Sequence, residues 1–198
     1  MADLPISAYV VLGLLAEQEE ATPYQLDQLI RRSIGNFWSF PRSQLYAEAG
    51  RLARQGLIIE HREENGRRRR TLAITDAGRR QLRRWLETPT DAPAEVHDPG
   101  VLRLHFQPAG HDRGEDHSAS VTQAIVRLAG EQIATHERLL AVYRQKTENP
   151  TMRPGTPQRA SLELGMRYEQ LLIDFWKEVL DSPTNLPGGA PDGPDPAT

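Results

Sequence analysis

Two sets of side chains in this sequence have types and spacing that could do chemistry. One is Arg42, Ser43, Gln44 and Tyr46, with Glu48 and Arg51 following at helical spacing. The other is the unbroken run Arg67-Arg68-Arg69-Arg70 just after Asn65-Gly66. Guanidinium forks bond phosphate and guanine bidentately, and glutamine and serine bond base edges. The chemistry on offer is hydrogen bonding to an anionic, base-bearing polymer. Bond-breaking chemistry has no matching pattern: there is no P-loop, no Gly-x-Gly-x-x-Gly, no His-Glu-x-x-His and no nucleophile elbow, so neither an enzyme nor a cofactor is expected. The absence of cysteine excludes disulfides, thiol nucleophiles and thiolate-held zinc. His111, Asp112, Glu115, Asp116 and His117 are crowded in sequence, but in a polar stretch without i,i+4 placement. They are read as a solvated loop holding no metal.

Those side chains need a scaffold, and the first ninety residues predict one. Ile6 to Ala16 is a helix apolar almost all round. Thr22-Pro23 supplies an N-cap and a proline at the first helical position, and Tyr24, Leu26, Leu29 and Ile30 form the buried stripe of a second helix ending near Gly35. A third helix starts near Pro41 or Arg42, runs through Leu45, Ala49 and Leu52, and stops at Gly56. The period then shortens to that of strands: Leu57-Ile58-Ile59, the turn Asn65-Gly66, and Thr71 to Ile74. Thr75 caps a fourth helix from Asp76 to about Glu87. Three helices, a hairpin and a helix make a winged helix-turn-helix, whose third helix enters a major groove and whose hairpin reaches the flanking backbone. On that scaffold Arg42, Ser43, Gln44, Tyr46 and Arg51 are expected to touch DNA. Strand alternation turns about half of the hairpin arginines inward, leaving Arg67 and Arg69 as the outward pair. Trp38, in the turn before the third helix, is expected to pack.

Pro89, Pro93 and Pro99 mark residues 89–100 as a linker between this winged-helix domain (1–88) and a helical domain (101–181). In the latter, one helix from Ser118 to Lys146 carries Ile125, Leu128, Ala129, Ile133, Leu140 and Tyr143 on a stripe that also takes in His136. The next, from Pro157 to Asp181, carries two stripes. Leu164, Tyr168, Leu171, Phe175 and Val179 form one; Leu162, Met166, Leu172, Ile173, Trp176 and Leu180 form the other. A helix apolar on two faces must be covered from two sides, and a second subunit is the economical cover. Leu128, His136, Tyr143, Tyr168, Phe175 and Trp176 are therefore candidates for a dimer interface or an effector cavity. The last seventeen residues, 182–198, hold five prolines and three glycines and are expected to be a disordered tail. The fold class is mainly α with a small β-wing.

The chain has 198 residues and a net charge of −3, but residues 1–90 carry fourteen arginines against eleven acids while 91–198 carry ten basic groups against sixteen acids. The positive charge thus collects in the winged-helix half. The apolar run Tyr9 to Ala16 is too short to span a membrane, lacks a basic flank and meets Glu17, Glu19 and Glu20. No membrane partner is expected, and the expected location is cytoplasmic, at the nucleoid.

Phe37-Trp38, Ser43-Gln44-Leu45-Tyr46, Leu52, Gly56-Leu57-Ile58, Gly66-Arg67 and Ile74-Thr75-Asp76-Ala77-Gly78 together resemble the PadR family of transcriptional regulators. Leu102-Arg103-Leu104-His105-Phe106 and Leu162-Glu163-Leu164-Gly165-Met166-Arg167-Tyr168-Glu169 are similar to that family's C-terminal dimerisation domain. Leu72 departs from the pattern, standing where the family usually places tyrosine, as does Ala49-Gly50 where a larger residue is usual. The resemblance implies a homodimeric regulator, usually a repressor, that binds an inverted repeat of double-stranded DNA and is released by a small, often aromatic effector. From the residues alone two other readings stand beside it: a winged-helix protein-interaction module, and a ligand-binding protein without specific DNA affinity.

Overall fold

The structure, a computed structural model, describes residues 4–38, 40–62, 70–91, 93, 95–110, 117–149 and 152–188. The chain divides into two compact units, Met1–Pro93 and Ala94–Thr198.

In the first unit the order is α1 (Ile6–Gln18), β1 (Glu20–Ala21), α2 (Pro23–Arg32), a 3-10 turn (Ile34–Asn36), α3 (Arg42–Arg54), β2 (Ile58–Arg62), β3 (Arg70–Ile74) and α4 (Asp76–Glu87). The helix-rich architecture with a small antiparallel sheet is the one expected. Helix α1 is the pillar: Ala8, Val11, Leu12 and Leu15 have no solvent-exposed surface, and Leu26, Leu45, Ala49, Leu52 and Leu72 pack around them. Helix α2 opens with a reciprocal cap, in which the Thr22 hydroxyl accepts from Gln25 N and the Gln25 side chain accepts from Thr22 N.

The end of α3 is built to turn the chain into the wing. Gly56 adopts φ +68°, Leu57 N donates to Leu52 O and Gly56 N to Ala53 O, the paired bonds that close a helix on a left-handed residue. Strands β2 and β3 pair antiparallel with Ile58 opposite Ile74 and Glu60 opposite Leu72. The two-residue β1, not anticipated from the sequence, pairs with the other side of β3, giving the order β1-β3-β2. Leu72, the departure from the family pattern, is wholly buried in this sheet's core face.

Thr75 ties the wing base to α4. Its amide donates to Leu57 O, its hydroxyl lies 2.8 Å from Gly56 O and 3.0 Å from Leu57 O, and that same hydroxyl accepts from Gly78 N. Helix α4 thereby starts so close to the wing that a methyl group on Gly78 would run into the Leu57 carbonyl oxygen and the Ile74 side chain.

In the second unit, α5 (Pro99–Phe106) and a 3-10 turn (Gln107–Gly110) precede α6 (His117–Lys146) and α7 (Pro157–Asp181). The segment expected as linker thus already begins a helix at Pro99: the Asp98 carboxylate accepts from Gly100 N and Val101 N, so proline here opens a helix rather than interrupting one. Helices α6 and α7 run antiparallel, Tyr143 meeting Gly165 near one end of the pair while Ile125, Leu128, Ala129, Trp176 and Val179 form the core near the other.

These packings make opposite predictions for two glycines. At Gly50, inside α3, a methyl group would meet only the end of the Arg54 side chain at 3.5 Å. Gly50→Ala should therefore stabilise the protein by up to ~1 kcal/mol through helix propensity. Gly78→Ala should destabilise it by about 1–3 kcal/mol through overpacking. Thermal unfolding midpoints that move in the same direction for both would contradict this account.

Candidate nucleic-acid interface

Helix α3 presents a polar outer face because two buried acids hold its inner face. Near its start, the Asp27 carboxylate on α2, with a side chain 7% exposed, accepts from Arg42 Nη2 at 2.8 Å and from Arg31 Nε at 3.2 Å. The Arg42 guanidinium beside it, with help from Arg31 and against the cost of burial, holds the Asp27 carboxyl below its ordinary value of 3.8. Halfway along α3, Glu48 accepts from the Ser7 hydroxyl of α1 at 2.6 Å and pairs with Arg51 Nη2 at 2.6 Å. Both acids lie on apolar stripes, Asp27 beside Leu26 and Ile30, Glu48 between Leu45 and Leu52. That position was the available signal: a carboxylate among buried leucines must have a cation or a donor. Sequence reasoning missed Asp27 and Ser7 altogether.

Once the inner face is fixed, Arg42, Ser43, Gln44, Tyr46 and Ala47 remain exposed along the first two turns of α3. Arg42 keeps 53% of its side chain in solvent, and its guanidinium has five N–H donors, more than Asp27 engages. Tyr46 is 45% exposed, and Tyr24 of α2 is 59% exposed. Phe37 is exposed in the preceding turn, and Trp38, expected to pack, keeps 37% of its surface open. Polar donors flanked by open aromatic rings make a surface fit for base edges and sugar-phosphate together.

Three expectations need correction. Glu48 is not on the outer face of α3 but inside, bonded to Ser7. Arg51 is drawn to Glu48 and is more than half buried, so its charge is neutralised where a DNA contact was expected. In the second unit, Leu128, His136, Tyr143 and Trp176 are buried by the α6–α7 packing of their own chain rather than left open for a partner. Among them His136 takes a partner within its own chain: its Nδ1 lies 2.6 Å from Glu169 Oε2. Tyr168 and Phe175 do remain partly open. Arg67 and Arg69, with the Asn65-Gly66 turn, lie outside the described residues, as do residues 111–116 of the crowded His/Asp/Glu stretch. Arg70, the last of the run, turns to Glu60 across the wing at 2.9 Å. No group of three or more His, Asp or Glu among the described residues could hold a metal.

With this geometry in place, known proteins can be set beside it. Residues 11–84 match the Transcriptional regulator PadR-like family. The match lies within the winged-helix unit. It is 30% identical over 100 residues to the negative transcriptional regulator PadR of Bacillus subtilis, covering 50% of this chain and about half of that protein's length, 54%. A probable transcriptional regulator of Mycobacterium tuberculosis is 25% identical over 186 residues, 88% of this chain and 95% of that one. The crystal structure of Bacillus subtilis PadR with operator DNA has the same fold, with a TM-score of 0.73 at 22% identity over 89% of this chain and 98% of that one. The same protein in complex with p-coumaric acid gives 0.68 at 21% identity over 89% and 98%. No described helix of this PadR-like chain is long and apolar enough to cross a membrane.

The Asp27 contacts fix a pH dependence. A carboxylate whose folded value is depressed contributes stability above its unfolded value, near 3.8, and loses it as pH falls through the folded one. Asp27→Asn should therefore flatten the decline of the unfolding midpoint below pH 4. A variant whose acid limb is as steep as the wild type's would show that Asp27 does not carry that dependence.

Proposed function

We propose that this PadR-like regulator is a homodimeric, cytoplasmic repressor that reads an inverted-repeat operator and is released by a small, aromatic effector. The observation that carries the reading is the outer face of α3, where Ser43, Gln44 and Tyr46 stand exposed beside an anchored Arg42. The operator-bound relative of the same fold supports it. Arg42, Ser43, Gln44 and Tyr46 contact DNA from α3, with Arg67 and Arg69 of the hairpin on the phosphates alongside. Arg51 serves α3 from within. The DNA-reading domain is residues 1–88, followed by a linker at 89–100, the helical domain at 101–181 and a tail at 182–198.

The outer stripe of α7 supports the dimer. Leu164 and Leu171 are 70% and 63% exposed, with Tyr168 and Phe175 on the same side, while α6 covers the other stripe. An apolar seam of this kind is stable in water only when a second surface covers it, and a two-fold pair of α3 helices matches half-sites about 34 Å apart. The effector reading is supported by the relative that binds p-coumaric acid.

Fluorescence-anisotropy titration of the DNA upstream of the protein's own gene, with excess random duplex at about 150 mM salt, tests the reading. Saturable binding that survives the competitor is expected. Gln44→Ala should change the preference between sequences at a cost of about 1–3 kcal/mol, whereas Arg67→Ala should weaken all DNA alike and reduce the salt slope by about one. If neither substitution alters binding, α3 and the hairpin do not dock as proposed. For the dimer, Leu171→Asp should yield monomers in sedimentation and abolish operator binding; a dimer that persists would place the interface elsewhere.

A further inference from the structure

Asp27 lies where an acid should be unwelcome. It sits behind the first turn of a helix meant for a polyanion, and by charge alone it would weaken every DNA complex. Its carboxylate is nonetheless held by two arginines from two different helices, Arg31 one turn further along α2 and Arg42 at the first position of α3. The bond to Arg42 at 2.8 Å crosses the helix-turn-helix corner, fifteen residues apart in sequence, and is the ion pair joining α2 to α3 among the described residues. Pro41, at the N-cap of α3, makes no side-chain cap, so the usual polar lock on a helix start is absent where this ion pair stands.

We infer that Asp27 is a positioning residue for operator reading: by holding Arg42 it sets the direction of α3's first turn, and with it the placement of Ser43 and Gln44 on base edges. The inference rests on the reading of α3 as the DNA-reading helix. Asp27 touches no DNA itself. Arg42 divides its donors between Asp27 and a phosphate, so the acid gives up some general affinity for DNA in exchange for a fixed register. Its consequence opposes simple electrostatics. Removing a negative charge near DNA should tighten binding to all sequences, whereas removing a positioner should loosen the operator alone.

The test uses the full-length protein and an operator that the wild type enriches from a random DNA pool. Asp27→Asn should weaken operator binding about tenfold while affinity for random duplex stays level or rises. The double variant with Arg42→Gln should be no worse on operator than Arg42→Gln alone, because Asp27 acts through Arg42. Operator and random duplex tightening together, or losses that add in the double variant, would overturn the inference. Should Asp27→Asn fail to fold, Arg42→Lys carries the test, since it keeps the charge and loses the planar fork. Its affinity for operator should fall by more than its affinity for random duplex, and full selectivity would again overturn the inference. A wild type that enriches no sequence removes the DNA-reading assignment and this inference together, whereas a selective Asp27→Asn protein removes this inference alone.

Discussion

Helix α1 is buried over most of its circumference, with only the stripe through Ile6, Val10, Gly13 and Glu17 open, and the first unit is arranged around that constraint. So broad an apolar surface is stable only when largely covered, so α2, α3, α4 and the sheet each take a sector of its circumference. Its two buried polar side chains are handed to the neighbours: Ser7 to Glu48 of α3, and Tyr9 to α4, where its hydroxyl accepts from Gln81 Nε2 and its ring stacks on Trp85 at 4.6 Å. Residues two apart on a helix point about 200° apart. Helices α3 and α4 therefore lie on nearly opposite sides of α1. The exposed arginines of α4, at 79, 80, 83 and 84, consequently do not extend the polar surface of α3.

Enclosure explains why α3 is presented but not how steadily it is held. Apolar packing is non-directional and tolerates small rotations, and a recognition surface does not. Two polar contacts remove that freedom, Asp27 with Arg42 at the first turn and Ser7 with Glu48 a turn and a half later. Each joins α3 to a different neighbour, so together they fix both its roll and its tilt. Thr75 fixes the third side, tying the start of the wing to the start of α4 through the carbonyls of Gly56 and Leu57.

The elements were legible in the sequence because each obeys a local rule. Thr22-Pro23, Gly56 and Thr75-Asp76 announce their boundaries by capping chemistry, and the shift of period at Leu57 announces the wing. What local rules could not supply was the division of polar residues between inside and outside. Glu48 and Arg51 share α3 with Gln44 and Tyr46, and only the position of α1 decides that the acid turns inward and takes the arginine with it. The same limit applied to α7. Two stripes could be read from its sequence, but which of them faces α6 depends on the packing of Trp176 against Ile125 and Ala129. The helix at Pro99 was hidden because a proline-rich stretch reads as a linker unless the aspartate before the proline is recognised as its cap.

The second unit shows the same division between driving force and specification. Its inner seam is leucine, isoleucine, alanine and tryptophan, which would also pack if α7 slid along α6 by a turn. The buried pair of His136 and Glu169 forbids the slide. At one register the two groups meet at 2.6 Å; one turn on, the Glu169 carboxylate would face Leu140, which is buried and offers no donor. A buried charge left without its partner costs roughly 3–5 kcal/mol, a large share of the stability of a domain this size. The pair thus contributes by the penalty on that shift as well as by attraction. Because the outer stripe of Leu164, Tyr168 and Leu171 rides on the same helix, its position on the surface is set by that pair as well.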